Sequence, residues 1–141
     1  MEYSQEYKDL KEQIERSNGV VTPQNYFVQV PNSFVRSLEL DTNEKMMYIY
    51  LWGFGGESRA MYPGQARMMK ELGWSKNKVI KILKSLEEKG GLYIINRVKK
   101  DTKEKVTNLY YLCAIDNSTG NFKKDYLNIV KQVYPDKITY V

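Results

Sequence analysis

The sequence predicts an α+β fold, mainly helical, on three observations. Residues 62–90 read as two helices joined by a tight turn at Gly73-Trp74. Two strand-like runs follow, Leu92–Lys99 and Val106–Ile115, with a lysine-rich tip between them. An amphipathic helical pattern stands at each end of the chain, outside this core. The chain therefore divides into an N-terminal amphipathic helix over 1–19, a central domain over 20–116, and a C-terminal helix and tail over 117–141.

At the N-terminus Tyr3, Tyr7, Leu10 and Ile14 recur at spacings of four, three and four, which is one narrow apolar stripe. The pattern stops near Ser17-Asn18-Gly19. Such a stripe can dock on its own domain or pair with a second subunit. Val20–Gln24 holds a proline and reads as a linker. Tyr26–Val30, β-branched and aromatic, predicts a short strand. Pro31-Asn32-Ser33 opens a short helix carrying Phe34, Val35 and Leu38. Asp41 or Thr42 is placed to cap the next helix, with Glu44 in the first turn, where a carboxylate is favourable. Met46, Met47, Ile49, Tyr50 and Leu51 make that helix the centre of the core.

Met68, Met69 and Leu72 then sit at helical spacing before Gly73, a residue that tolerates the positive φ of a helix stop. Trp74 can drop into the angle between two helices, and Ser75 can cap the second. Val79, Leu83 and Leu86, with Ile82 beside them, form its buried stripe. At 100° per residue Asn77, Lys81, Lys84 and Glu88 point outward, with Lys78 and Ser85 on the flank. Lys76 lies in the first turn. A helix-turn-helix places the early residues of its second helix against base edges in a major groove. Lysine can donate to guanine and asparagine can pair bidentately with adenine. Lys76, Asn77 and Lys81 are therefore the expected base contacts.

A hairpin with a basic tip, directly after such a helix, is a wing. The fold is accordingly a winged helix-turn-helix with a β-hairpin wing and additional N- and C-terminal helices. Wing tips rest on phosphates or reach into a minor groove. Expected backbone contacts are Gln65, Arg67, Ser75, Lys78 and Lys84 from the helices, and Arg97, Lys99, Lys100, Lys103 and Lys105 from the hairpin. The plainer alternative for each group is a solvated charged surface. Beyond the hairpin, Asp116–Asn121 reads as a linker, and Phe122, Tyr126, Ile129, Val130 and Val133 mark a last amphipathic helix ended by Pro135. Residues 137–141 read as a short strand or an unstructured tail.

Composition narrows the function classes. The chain has 141 residues and a formal charge of +5, unevenly spread. Gly64–Lys105 holds 12 lysines and arginines against five acidic residues, an electrostatic footprint for phosphate. Histidine is absent, which removes the commonest metal ligand and the side chain best suited to proton transfer near neutral pH. The single cysteine, Cys113, excludes an internal disulfide and a thiolate-rich zinc site, and fits a cytoplasmic protein. Gly53, Gly55 and Gly56 lack the Lys-Ser/Thr of a nucleotide loop. No apolar run approaches the ~20 residues of a membrane span, and no secretory signal opens the chain. The expectation is a non-enzyme with no cofactor, metal or small-molecule ligand and no membrane contact. Its partner is double-stranded DNA, with a possible homodimer through the terminal helices.

The segments VPNSFVRSLEL, KMMYIYLWGF, YPGQARMMKELGWSKNKVIKILKSLEEKG and TNLYYL carry a resemblance to winged helix-turn-helix domains of Gram-positive plasmid and phage replication initiators and replisome organisers. It spans roughly residues 26 to 115. It implies duplex DNA binding by a helix from Ser75 to about Lys89, with a wing near Lys100. Gly64 departs from the pattern, standing where a serine normally caps the first helix of the motif. Met69 stands where an alanine usually lets the helices approach closely. The resemblance implies replication initiation or DNA maintenance. Transcriptional repression, a protein-docking module and single-strand binding are the rival readings.

Overall fold

A computed structural model describes residues 28–55 and 60–141, together with Gln5, Lys8 and Asp9. Those three are helical, and the stripe of Tyr3, Tyr7, Leu10 and Ile14 lies outside the described residues. The elements are α1 (Asn32–Val35), α2 (Thr42–Gly55), β1 (Ala60–Met61), α3 (Gln65–Leu72), α4 (Lys76–Glu88), β2 (Leu92–Val98), β3 (Leu109–Leu112), α5 (Lys124–Val133) and β4 (Ile138–Tyr140). The fold is a winged helix-turn-helix: three helices lie on one side of a small sheet, and a hairpin follows the second helix of the turn.

The start of α2 is set by a reciprocal capping box. Glu44 N–H donates to Asp41 Oδ1 at 2.8 Å, and Asp41 N–H donates to Glu44 Oε1 at 2.9 Å. Glu44 is 1% exposed and also accepts from Lys89 Nζ at 2.7 Å and from Ser85 Oγ. Burial disfavours its charge, but these donors outweigh it and hold the carboxyl below the ordinary glutamate range. One side chain thus caps α2 and ties it to the end of α4. Met47, Tyr48 and Leu51 on α2 pack with Phe34 of α1, Met68 of α3, and Val79, Leu83 and Leu86 of α4.

The sheet order is β1-β3-β2-β4, with β1/β3 and β2/β3 antiparallel and β2/β4 parallel. Both faces of its centre are covered. Leu92, Ile94, Tyr110 and Leu112 join the helical core, while Tyr93, Ile95, Leu109 and Tyr111 join a second cluster under Tyr126, Leu127 and Val130 of α5. Alternate residues therefore serve alternate cores.

Three sequence expectations change. Val28–Val30 join no strand, and Tyr26 and Phe27 lie outside the described residues. The edge beside β3 is taken by Ala60–Met61 instead, and Val30 packs on the core. Cys113 lies just past β3; it is buried, its N–H donates to Gly91 O at 2.9 Å, and its carbonyl accepts from Tyr48 Oη at 2.5 Å. The C-terminal stripe is partly rotated. Helix α5 begins only at Lys124, so Phe122 precedes it and packs on the helical core. Leu127 and Val130 face the sheet, while Ile129 and Val133 are 60% and 63% exposed. The tail forms β4.

Candidate nucleic-acid interface

The turn between α3 and α4 is built as a helix-turn-helix requires. Gly73 adopts φ 70°, and its N–H donates to Met69 O at 2.9 Å. Trp74 N–H reaches the same carbonyl at 3.2 Å. Ser75, in extended conformation, caps α4 by accepting Lys78 N–H at 3.2 Å. Val79, Ile82, Leu83 and Leu86 are buried, which fixes how α4 is rolled about its axis.

That roll leaves Asn77, Lys81 and Lys84 exposed on the far side of α4, with Lys76 exposed on the flank of its first turn. Among the described residues none of the three lysines is within ion-pair distance of a carboxylate. Lys78 is half-buried and carries its ammonium 4.7 Å from the centre of the Trp74 ring. Among the described residues the cations of the first two turns thus stand as a positive surface without paired carboxylates. Lys89, at the other end, is turned inward onto Glu44 and onto Glu39 O at 2.9 Å.

The α3 residues are placed differently. Burial pushes the Tyr110 phenol up, while the side chains of Asn108 and Gln65 lie beside its hydroxyl and favour its ionised form. Arg67 donates from Nε to Glu71 Oε1 at 2.9 Å and lies 4.7 Å over the Phe54 ring. Tyr50 Oη donates to the same carboxylate oxygen at 2.7 Å. Burial, then the Glu71 hydrogen bond, pushes Tyr50 up; that bond, with Arg67 adding to it, holds Glu71 below its ordinary range. Arg67 is exposed but already has a counter-charge. Gly64 provides no side-chain cap, so among the described residues no side chain closes the first N–H groups of α3, which lie beside a groove of about 320 Å³. Gln65 and Gly64 line one wall and Lys105, Thr107 and Asn108 the other, which brings the start of α3 and the base of the wing together. An open helix N-terminus favours an anion.

The wing turns over Lys100–Thr102. Lys99 N–H donates to Glu104 O at 2.9 Å and Lys103 N–H to Lys99 O at 3.0 Å. Lys99, Lys100, Lys103 and Lys105 are all exposed. Lys99 pairs loosely with Glu104 at 3.4 Å. Arg97 stands apart from them. Strand alternation puts it on the face that α5 covers, where it lies 4.4 Å over the Tyr62 ring and donates to Thr107 Oγ1 at 3.1 Å. Sequence reading misses the aromatic partners that hold cations, among them Tyr62 for Arg97, Trp74 for Lys78 and Phe54 for Arg67. A signal exists for β4 in the alternation of Ile138, Thr139 and Tyr140. Among the described residues there is no cluster of three His, Cys, Asp or Glu able to hold a metal ion, and no helix long and apolar enough to cross a membrane.

No curated protein matches the sequence. A solved structure described as "N-Terminal domain of DNA binding protein" aligns over 96% of this chain and 97% of its own, at 21% identity and a TM-score of 0.47. A protein-family model described as a helix-turn-helix domain matches residues 38–92. That span runs from just past α1 through the capped turn and α4 to the first residue of β2, and over this stretch the chain is similar to that family.

Proposed function

We propose that the chain binds double-stranded DNA, laying α4 in the major groove and the wing on the flanking backbone. One observation carries the reading: the capped first turns of α4 present Lys76, Asn77, Lys81 and Lys84 exposed and, among the described residues, without acidic partners, while Val79, Ile82, Leu83 and Leu86 are buried. In this arrangement Lys76, Asn77 and Lys81 read base edges. Ser75, Lys78 and Lys84 contact phosphates, as do Lys100, Lys103 and Lys105. The open start of α3 at Gln65 supplies a further phosphate contact through its backbone. Arg67, Arg97 and Lys99 contribute field rather than direct bonds, since each is engaged within the fold. The chain acts as a binding protein without catalysis, in replication initiation or maintenance of plasmid or phage DNA; the resemblance in its sequence supports that setting over transcriptional repression. A second copy would supply the second half-site, its α4 about 34 Å away. Selection of bound duplexes from a random pool tests the reading. A consensus, palindromic for a dimer, with affinity falling steeply in salt, is the expected result. Absence of salt-dependent duplex affinity would turn the reading to protein docking.

A further inference from the structure

Strand β4 is the element that the binding reading leaves unused. The β2–β3 ladder pairs Ile95 with Leu109, its last partners before the wing. Beyond that point the ladder gives way to the isolated bridge of Val98 with Lys105, with Val106 N–H to Arg97 O at 3.0 Å and Lys99 N–H to Glu104 O at 2.9 Å, and to the side-chain contact of Arg97 with Thr107. Over this same stretch β2 is paired on its other edge by β4, Asn96 opposite Ile138 and Val98 opposite Tyr140. Asn96 N–H donates to Lys137 O at 2.8 Å, Val141 N–H to Val98 O at 2.9 Å, and Lys100 N–H to Val141 O at 3.1 Å. The last bond reaches the first residue of the wing's turn.

Both ends of β4 are fastened by side chains. At its start Lys137 Nζ donates to Glu87 Oε1 at 2.7 Å, and the other oxygen of Glu87 accepts Ile94 N–H at 2.6 Å. Glu87 belongs to the last turn of α4. At its far end the Tyr140 ring lies 5.1 Å from Lys103 Nζ at the wing tip. Lys103 and Lys137 are also the two non-glycine residues with positive φ among those described, at 61° and 56°. Side chains with a Cβ disfavour that conformation, and it persists where surrounding contacts impose it. At Lys137 those contacts are Asn96 N–H on its carbonyl and Glu87 on its ammonium, which clamp β4, whereas at Lys103 the turn of the hairpin imposes the conformation through Lys103 N–H to Lys99 O at 3.0 Å.

We propose that β4 is a strut that fixes the pose of the wing relative to α4, and so positions the wing for duplex binding. The inference rests on the binding reading above. A two-stranded ribbon alone is marginally stable in water. A third strand, anchored to α4 through Lys137 and Glu87, holds the ribbon in one orientation before the ligand arrives, and the ordering cost at binding falls. Tyr140 and Val141 are positioning residues that act through Lys100 and Lys103.

The test uses the full chain with Tyr140→Ala and Val141→Pro together. These residues are 51% and 53% exposed, so little core is removed, while the Lys103 contact and the Val98 hydrogen bond are abolished. Amide exchange at Lys100 should quicken at least tenfold, with Leu83 of α4 unchanged. Duplex affinity should fall about tenfold on every sequence with the base preference kept, and Lys103→Ala should cost less in the variant than in the parent. Parent-like protection at Lys100 overturns the proposal. So does a parent-like affinity once that protection is gone, or faster exchange throughout α4, which would make β4 an ordinary part of global stability. A parent that shows no salt-dependent duplex affinity removes the binding reading instead, and exchange at Lys100 then still decides whether β4 holds the wing.

Discussion

Single side chains divide here into those that hold the turn and those it displays. Glu44 belongs to the first kind. Its carboxyl lies below the ordinary glutamate range because Lys89, Ser85 and Asp41 N–H outweigh the cost of burial. A depressed folded-state value means the ionised form stabilises the fold at neutral pH, and that contribution is lost as pH falls below the ordinary range toward the folded value. Glu44→Gln should cost about 1.5–3 kcal/mol at pH 7. In denaturant titrations the gap to the parent should close as the buffer is taken below the ordinary glutamate range; a gap constant with pH would mean the loss is one of shape. Lys76, Asn77 and Lys81 belong to the second kind. Alanine at any of them should leave the melting temperature in place, cost about 1–3 kcal/mol on the preferred duplex and relax base preference. Equal losses on preferred and random duplexes would assign them to phosphate. The display is readable from the sequence, because Gly73, Ser75 and four apolar positions fix the roll of one helix. The engagement of Arg67 and Arg97 is not, since Tyr50 and Phe54 join the Arg67–Glu71 pair only once α2 and α3 have packed, and Tyr62 lies 35 positions from Arg97.

Among the elements, the helices are more legible than the strands. Helix α4 alternates buried and exposed residues at 3.6, and its caps are local. The strands β2 and β3 face apolar neighbours on both sides, so the polar half of the usual alternation is missing and the sequence sets their ends too wide. The partly rotated stripe of α5 has a similar cause: Phe122, Tyr126, Ile129, Val130 and Val133 fit a helical period, but the helix starts after Phe122 and the sheet takes Tyr126, Leu127 and Val130, leaving Ile129 and Val133 outside. For the wing, the quadruple alanine variant of Lys99, Lys100, Lys103 and Lys105 should weaken binding to all duplexes and flatten the salt dependence by ~1 unit of slope for each phosphate no longer neutralised. Lys99→Ala alone should contribute least, because Glu104 already offsets it. A variant with the parent's slope and affinity would take the wing off the DNA.

At the scale of the molecule, the C-terminal segment is part of the domain rather than an appendage. Removing residues 117–141 would uncover Tyr93, Ile95 and Tyr111 on the back of the sheet, and would also take Phe122 out of the helical core. Such a chain should melt well below the parent and bind a hydrophobic dye; a cooperative, parent-like transition would show that α5 is dispensable. This alters what trimming can say about assembly. Failure to self-associate in a chain lacking α5 reports unfolding as readily as a missing interface, whereas Ile129→Ser with Val133→Ser changes only the outer side of that helix. Sedimentation of that variant is the cleaner measurement, and a dimer built on this surface should dissociate.

The parallel pairing of Asn96 with Ile138 spans 42 positions of sequence, and the route between them passes through β3 and α5. A contact so distant closes late, because the intervening chain must be placed first. Synthesis adds a direction to this delay. Residues 65–112 leave the ribosome ahead of 138–140, so a nascent chain can display α4 and an unbraced hairpin while β4 is still enclosed. The half-made protein therefore displays its charges in place while its geometry is unfinished.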